Sequence, residues 1–280
     1  MKKILVPCDF SAPSVSAYRL ALDIAQSSGG EIHLVNVIEL PVLHDTVLMP
    51  VLSFEEALLQ ELKEKAEQQF EKLKKKYAED FDDIILSVLY GNISIMLLQY
   101  IEEHDIDLVV MGTKGATGVR EALIGSNAEK IVRRSPVPVL TVKKYQPGSE
   151  IKSIVFPTSL QEDHPDLVAK VKALQKFFGA TLHVVYVNTP TNFMSDGVTR
   201  KRLNDFVKKY ALRDVTTNIY NDRYEEAGII NFAHSIDAGL IAMGTHGRKG
   251  LAHVLSGSLA EDVVNHVDCP TWTYAIKRDS

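Results

Sequence analysis

Cysteine is scarce. Cys8 and Cys269 are the only two in 280 residues, and each stands beside a proline at the edge of an apolar run. That excludes a small disulfide-stapled scaffold, and the lack of a C-x-x-C pair removes a common metal or redox motif. Both thiols are expected to be small and buried. Long apolar runs are also missing. None approaches the roughly 20 residues of a membrane-spanning helix. Asp9 interrupts the N-terminal MKKILVPCDF too early for the core of a signal peptide. Excess basic charge is absent too: 31 Lys and Arg stand against 36 Asp and Glu, a formal net charge of −5. A general nucleic-acid coat needs a basic stripe to displace counterions, so that class is excluded. The expectation is a cytoplasmic protein with no nucleic-acid and no membrane partner.

Several catalytic signatures do not occur. There is no G-x-x-x-x-G-K-[ST] phosphate loop, no G-x-G-x-x-G, no G-x-S-x-G elbow and no H-E-x-x-H. His234, His246, His253 and His266 fall at no metal-binding spacing and read as solvated or helix-terminal. No metal site is expected. The run EKLKKKYAED reads as the solvated face of a helix. HDTVLMPVLSF, 44–54, is apolar for a connection, and Pro50 argues against one continuous helix through it. It reads as a packing segment or a lid.

The chain does contain a duplication. KILVPCDFS at Lys3–Ser11 resembles SIVFPTSLQ at Ser153–Gln161, and GGEIHLVNV at Gly29–Val37 resembles the FGATLHVVYV of Phe178–Val187, both at an offset of 150. DLVVMGTKG at Asp107–Gly115 matches GLIAMGTHG at Gly239–Gly247 at an offset of 132, and SPVPVLTVK matches DCPTWTYAI. The second copy is therefore 18 residues shorter between its second strand and its glycine motif. Two domains, 1–145 and 151–280, are expected, joined by a short linker with Pro147-Gly148 as its turn.

Each copy alternates strand and helix. ILVP is a short branched run suited to a buried parallel strand. Ser11 is a candidate helix N-cap, with Pro13 in the first turn and Gly29-Gly30 as the stop. The rest of the first copy reads as IHLVNV strand, a helix over roughly 55–77, IILSVLYG strand, SIMLLQYIEEH helix, DLVVMG strand, a helix from Asn127 to Arg134 and VPVLTVK strand. This order predicts two tandem open parallel five-stranded sheets with helices on both faces. The last strands, VPVLTVK and CPTWTYA, are expected to face each other as an internal pseudo-dimer, with further homo-oligomers open.

The glycines are the informative feature. Gly112 ends a buried strand, Gly115 lies in the following loop, and Gly125-Ser126 precedes the last helix. In open α/β sheets ligands bind at the carboxyl ends of the strands. Bare backbone amides at a helix N-terminus favour an anion. Ser126 could donate to a phosphate or cap the helix. The spacing G-x2-G-x9-G-S recurs as Gly244, Gly247, Gly257 and Ser258.

These residues resemble the universal stress protein family, over nearly the whole chain and twice in tandem. The resemblance implies binding of ATP or AMP, with or without Mg²⁺, at the first copy. Asp9 would meet the ribose or adenine end, Pro7 and Cys8 would line the approach, and Val37 would meet adenine through its backbone. Met111 would line the site, and Gly112, Gly115, Gly125, Ser126 and Asn127 would surround the phosphates. Gly244, Gly247, Gly257 and Ser258 would form the second loop. Asp9 could instead cap the following helix. In the second copy Ser159 replaces Asp9 and Gly239 replaces Asp107, so weaker nucleotide binding or a different anion is expected there, with Arg248 and Lys249 as possible added charge. A stress-response role through nucleotide-dependent conformation or partner binding follows from the family. A weak ATPase or phosphotransferase and a ligand-free interaction scaffold are the alternatives.

Overall fold

The computed structural model describes residues 1–39, 50–113, 124–160, 164–246 and 259–276. The first half runs β1 (Lys3–Pro7), α1 (Ala12–Ser28), β2 (Glu31–Ile38), α2 (Pro50–Tyr77), β3 (Ile84–Tyr90), α3 (Ile93–Glu103), β4 (Leu108–Gly112), α4 (Ser126–Arg134) and β5 (Val139–Val142). A 3₁₀ turn at Gly148–Glu150 leads into the second half. This comprises β6 (Ser153–Pro157), α5 (Pro165–Phe178), β7 (Thr181–Asn188), α6 (Asp196–Lys209), β8 (Val215–Asn221), α7 (Glu225–Ser235), β9 (Leu240–His246), α8 (Leu259–His266) and β10 (Thr271–Ile276).

The expectation of two separate five-stranded sheets is wrong. The ten strands form one sheet in the order β3-β2-β1-β4-β5-β10-β9-β6-β7-β8. All pairings are parallel except the central one, where β5 meets β10 antiparallel with Trp272 opposite Leu140. The physical reason is the edge. A lone β5 would present unpaired N–H and C=O groups. Pairing the two last strands covers both edges at once. The seam has near-twofold symmetry: the Thr141 hydroxyl donates to the Thr271 carbonyl at 3.1 Å, and the Thr273 hydroxyl donates to the Val139 carbonyl at 3.2 Å. The register also corrects the alignment of the last strands by one residue. Val109 N–H donates to Pro138 and Ile241 N–H to Pro270, so the two prolines correspond at the same offset of 132 as the glycine motifs.

Strand alternation sorts the core into two faces. Ile4 and Val6 point to a cluster shared with Tyr18, Leu20 and Phe70, and this cluster continues through Leu140, Trp272 and Ile154 into the second half. Leu5 points the other way, toward Leu97, Ile131 and Met111. Val155 does the same beneath Ile229 and Val263. Thus α1, α2, α5 and α6 cover one continuous apolar layer. The pairs α3–α4 and α7–α8 cover separate clusters on the opposite face.

Local chemistry sets the helix ends. Ser11 accepts from Ser14 N–H as the N-cap of α1, and Gly29 ends the helix at φ 58°, where glycine carries no Cβ penalty. Gly179 does the same after α5. Pro50 opens α2 instead of breaking it, because the first turn needs no proline N–H. The remainder of the apolar connection before Pro50 lies outside the described residues. The 18-residue difference between the copies falls here: α2 has 28 residues and α6 has 14. Among the described residues no helix is long and apolar enough to cross a membrane.

Candidate functional site

The strand order reverses between β1 and β4. From β1 the chain moves outward through β2 and β3, then crosses to β4 on the other side. A cavity of about 160 Å³ opens at the carboxyl ends of these strands. Pro7, Cys8 and Asp9 come from the end of β1, and Val35, Asn36 and Val37 from β2. Met111, Gly112 and Thr113 come from β4, and Gly125, Ser126, Asn127 and Ala128 from the start of α4. Ser14, Ile93 and Leu97 complete the wall.

Asp9 is held by its neighbours. Its Oδ1 accepts from Ser11 N–H at 3.0 Å and from the Ser11 hydroxyl at 2.5 Å. The carboxylate therefore does not cap α1 itself; it positions the serine that does. Between them Phe10 takes a left-handed φ of 64° and packs on Phe70. Such a conformation costs a non-glycine residue on the order of 1–2 kcal/mol. Leu160 repeats it at φ 58° in the second half. The turn after the first strand of each half is thus strained in the same way. Cys8 is almost fully buried, and burial pushes its thiol up to about 11. It remains a protonated thiol near neutral pH, not a thiolate nucleophile. The Asn36 side-chain amide donates to the Cys8 carbonyl at 2.7 Å and ties β1 to β2 at the cavity floor.

Helix α4 begins with a glycine cap. Gly125 has φ −63° and ψ 144° and offers no side-chain hydrogen bond to the helix. Its N–H donates to the Thr113 carbonyl at 2.7 Å. The first-turn N–H groups of Ser126, Asn127 and Ala128 have no intrahelical acceptor and carry the positive end of the dipole. Among the described residues, the Ser126 hydroxyl and the Asn127 amide make no hydrogen bond. Ser126 is the first helical residue, so its hydroxyl is not the cap.

The second half has a larger cavity at the same place, about 300 Å³. Pro157, Val187, Met243 and Gly244 repeat Pro7, Val37, Met111 and Gly112, but other lining positions differ. Ser159 stands for Asp9, Tyr186 for Asn36, Glu225 for Ile93 and Leu259 for Asn127. Helix α5 starts at Pro165, one turn later than α1 by alignment, and its N-cap His164 makes no side-chain cap bond.

A family-level comparison meets this geometry. The model of the universal stress protein family matches residues 1–143 and again 150–274. The chain belongs to the universal stress protein family. Universal stress protein MJ0531 of Methanocaldococcus jannaschii is 33% identical over 143 residues, covering 51% of this chain and 82% of that protein. Universal stress protein MJ0577 of the same organism is 27% identical over 154 residues, covering 51% of this chain and 95% of its own length. Each matches about half of the chain, as a tandem member of the family requires. A universal stress protein structure from Archaeoglobus fulgidus has a TM-score of 0.75 at 22% identity, covering 97% of both chains. A second, from Pseudomonas aeruginosa, has a TM-score of 0.66 at 17% identity, over 99% of this chain and 94% of that one. These two likenesses speak for the fold.

In this universal stress protein the first copy brings Pro7, Cys8, Asp9, Val37, Met111, Gly112, Gly125, Ser126 and Asn127 to one cavity. Gly244 lines the other cavity. Gly115, Gly247, Gly257 and Ser258 lie outside the described residues, as do Arg248, Lys249 and His253. Among the described residues no three His, Cys, Asp or Glu side chains gather as a metal site. Asp107 belongs elsewhere. Its Oδ2 accepts from the N–H groups of Lys2 and Lys3 at 2.7 and 3.1 Å, at the amino ends of the strands. In the second copy Ser153 takes over: its hydroxyl accepts from Gly239 N–H at 2.9 Å. The Asp107-to-Gly239 difference therefore says nothing about the cavity. Sequence reasoning missed Ser14, Val35, Asn36, Ile93, Leu97, Thr113 and Ala128. The one available signal was Asn36, a polar residue inside the apolar run HLVNV.

Gly112 has a second reason to be glycine. A Cβ there would lie 2.8 Å from the Pro13 carbonyl carbon and the Ser14 nitrogen. The bare Cα lets the first turn of α1 press against the end of β4.

Proposed function

We propose that the first half of this universal stress protein binds an adenine nucleotide, ATP or AMP, and that the protein serves a stress response as a nucleotide-dependent regulator. One observation carries the reading. A single cavity joins Asp9 at one side to the uncapped first turn of α4 at the other. A carboxylate accepts hydrogen bonds from sugar hydroxyls, and helix-start N–H groups receive phosphate oxygens. Val37, Leu97 and Met111 offer apolar surface between them for a planar ring. Occupancy changes the function only if nucleotide binds two conformations with different affinity. The tandem copies act as an internal pseudo-dimer through β5 and β10.

Isothermal titration with ATP and AMP tests this directly, alongside mass spectrometry of what the freshly purified protein releases on denaturation. Gly125→Val is the decisive variant. The backbone at Gly125 is one that any residue adopts, so valine adds bulk without backbone strain. ATP affinity should fall at least about tenfold, roughly 1.4 kcal/mol, while thermal unfolding stays cooperative. Unchanged affinity in a folded Gly125→Val protein overturns the reading.

A further inference from the structure

The second cavity is nearly twice the size of the first, about 300 against about 160 Å³, and among the described residues its lining differs at both ends. The first turn of α8 presents Leu259 where α4 presents Asn127. Leu167 and Ile276 close over Gly244, whose added Cβ would lie 2.9 and 2.6 Å from their methyl carbons. Among the described residues, the lining around Gly244 and the start of α8 is therefore hydrocarbon. At the other end Glu225 stands where the first half has Ile93. Its Oε1 accepts from the Asn192 amide at 2.6 Å. Asn192 is itself fixed: its Oδ1 accepts from the Thr189 N–H and hydroxyl at 2.8 and 2.7 Å, and its carbonyl accepts from the Tyr186 hydroxyl. The rim is thus an ordered acceptor carrying negative charge, and the interior is apolar.

We propose that this cavity binds a neutral, mostly apolar small molecule that directs one O–H or N–H donor to Glu225. Two effects select that class. Phe156, Phe206, Ile229 and Met243 repay burial of apolar ligand surface at about 25 cal/mol per Å². A carboxylate at the mouth repels phosphates and accepts from an uncharged donor. The inference does not rest on nucleotide binding by the first half.

The test uses the full chain and N-phenyl-1-naphthylamine, an uncharged aromatic amine with one N–H, whose fluorescence rises in apolar surroundings. The expected result is saturable binding of one probe per chain, unaffected by millimolar ATP and by Asp9→Ala. Leu259→Asp and Ile276→Asp each place a charge in the lining and should weaken the probe about tenfold or more. No saturable binding, displacement of the probe by ATP, or wild-type affinity in either aspartate variant that still melts cooperatively overturns the proposal. If neither variant folds, the titration with ATP present decides alone.

Discussion

Asp9 and Ser159 occupy the same place after the first strand of each half, and both are followed by a residue in a left-handed turn. What surrounds them has diverged. In the first half, Ser11 caps a helix one turn longer than its counterpart, and a cap-free α4 opens on polar side chains. In the second, the same backbone frame encloses Leu259, Ile276, Tyr186 and Glu225. Duplication kept the elements that hold the sheet together, such as the mutual Thr141 and Thr273 bonds across the seam. It changed some of the positions that face the cavity, such as those of Asp9, Asn36, Ile93 and Asn127. A scaffold residue is constrained by many packed neighbours, whereas a cavity-facing residue is constrained by its ligand.

The sharpest way to break this comparison is to count sites. ATP should titrate with one tight site per chain. Asp9→Ser, which gives the first half the second half's residue, should weaken ATP roughly ten- to hundredfold, the range of hydrogen bonds to a charged group. The reciprocal Ser159→Asp should create no second site, because Leu259 and Ile276 remain. Two equal tight sites in the wild-type chain, or a new one in Ser159→Asp, would show that the apolar lining does not discriminate.

The seam offers a second contrast, in stability. Arg133 on α4 reaches across to Glu261 on α8, its Nη2 2.7 Å from Oε2. At the symmetry-related position Asn265 replaces the arginine, and its Oδ1 accepts from Ile124 N–H. Glu261 is 4% exposed, so removing Arg133 takes the facing cation away from a buried carboxylate. A fully buried pair broken this way costs about 3–5 kcal/mol. Arg133 is itself part exposed, so Arg133→Ala should cost less, about 2–3 kcal/mol. Asn265→Ala should cost about 1 kcal/mol, the order of one neutral hydrogen bond. Chemical denaturation midpoints rank the two. Equal losses would mean that Glu261 gains nothing from crossing the seam.

Paired glycines give a smaller contrast. A Cβ at Gly112 meets the backbone of Pro13 and Ser14 at 2.8 Å, and a helix start cannot shift without moving α1. A Cβ at Gly244 meets the ends of the Ile276 and Leu167 side chains, which can rotate. Gly112→Ala should therefore cost about 2 kcal/mol, within the usual range for overpacking, and Gly244→Ala well under half of that. Thermal melts of the two variants measure the difference, and a costlier Gly244→Ala would reverse the reading of both glycines.

Much of this was legible in the linear chain. Capping residues and alternating apolar runs placed the strands and helices of the first half, and the repeat carried four strands into the second, because each rests on local chemistry; β8 and the helices of the second half were inferred only from the shared order. The single ten-stranded sheet was not legible. That VPVLTVK and CPTWTYA face each other follows from the duplication, but whether they join edge to edge depends on backbone geometry at Thr141 and Thr271, which no side-chain pattern encodes. Asp107 misled for a related reason. It sits at the start of a strand whose far end lines the cavity, and five residues of strand separate two unrelated jobs. Ile93 and Leu97 went unseen because an apolar residue lining a cavity and one filling a core carry the same signal.

A buried and a half-buried histidine carry the comparison to its finest scale. His33 and His183 hold the same place on β2 and β7. Burial lowers the pKa of both, and for His33 the hydrogen bond and charge of Glu31 partly oppose that while His104 and Lys3 reinforce it. His33 Nδ1 pairs with the Tyr100 hydroxyl at 2.9 Å and Nε2 with Glu31 at 3.2 Å. His183 has the Thr216 hydroxyl at 2.9 Å, and Thr181 stands where Glu31 does. With a folded pKa below the unfolded value of about 6.5, the unfolded chain binds the proton more readily. Stability from each neutral ring is complete above that value and is lost as pH falls through the folded pKa. Melting temperature should hold between pH 8 and about 7 and decline below about 6.5. His33→Gln should flatten that decline. Glu31→Gln should deepen it, because the opposing carboxylate is gone and the folded pKa drops further. His183→Gln should change the slope less, since that ring is only half-buried and less of its hydration is lost on folding. A Glu31→Gln protein with a shallower acid limb than wild type would mean that Glu31 does not oppose burial at His33.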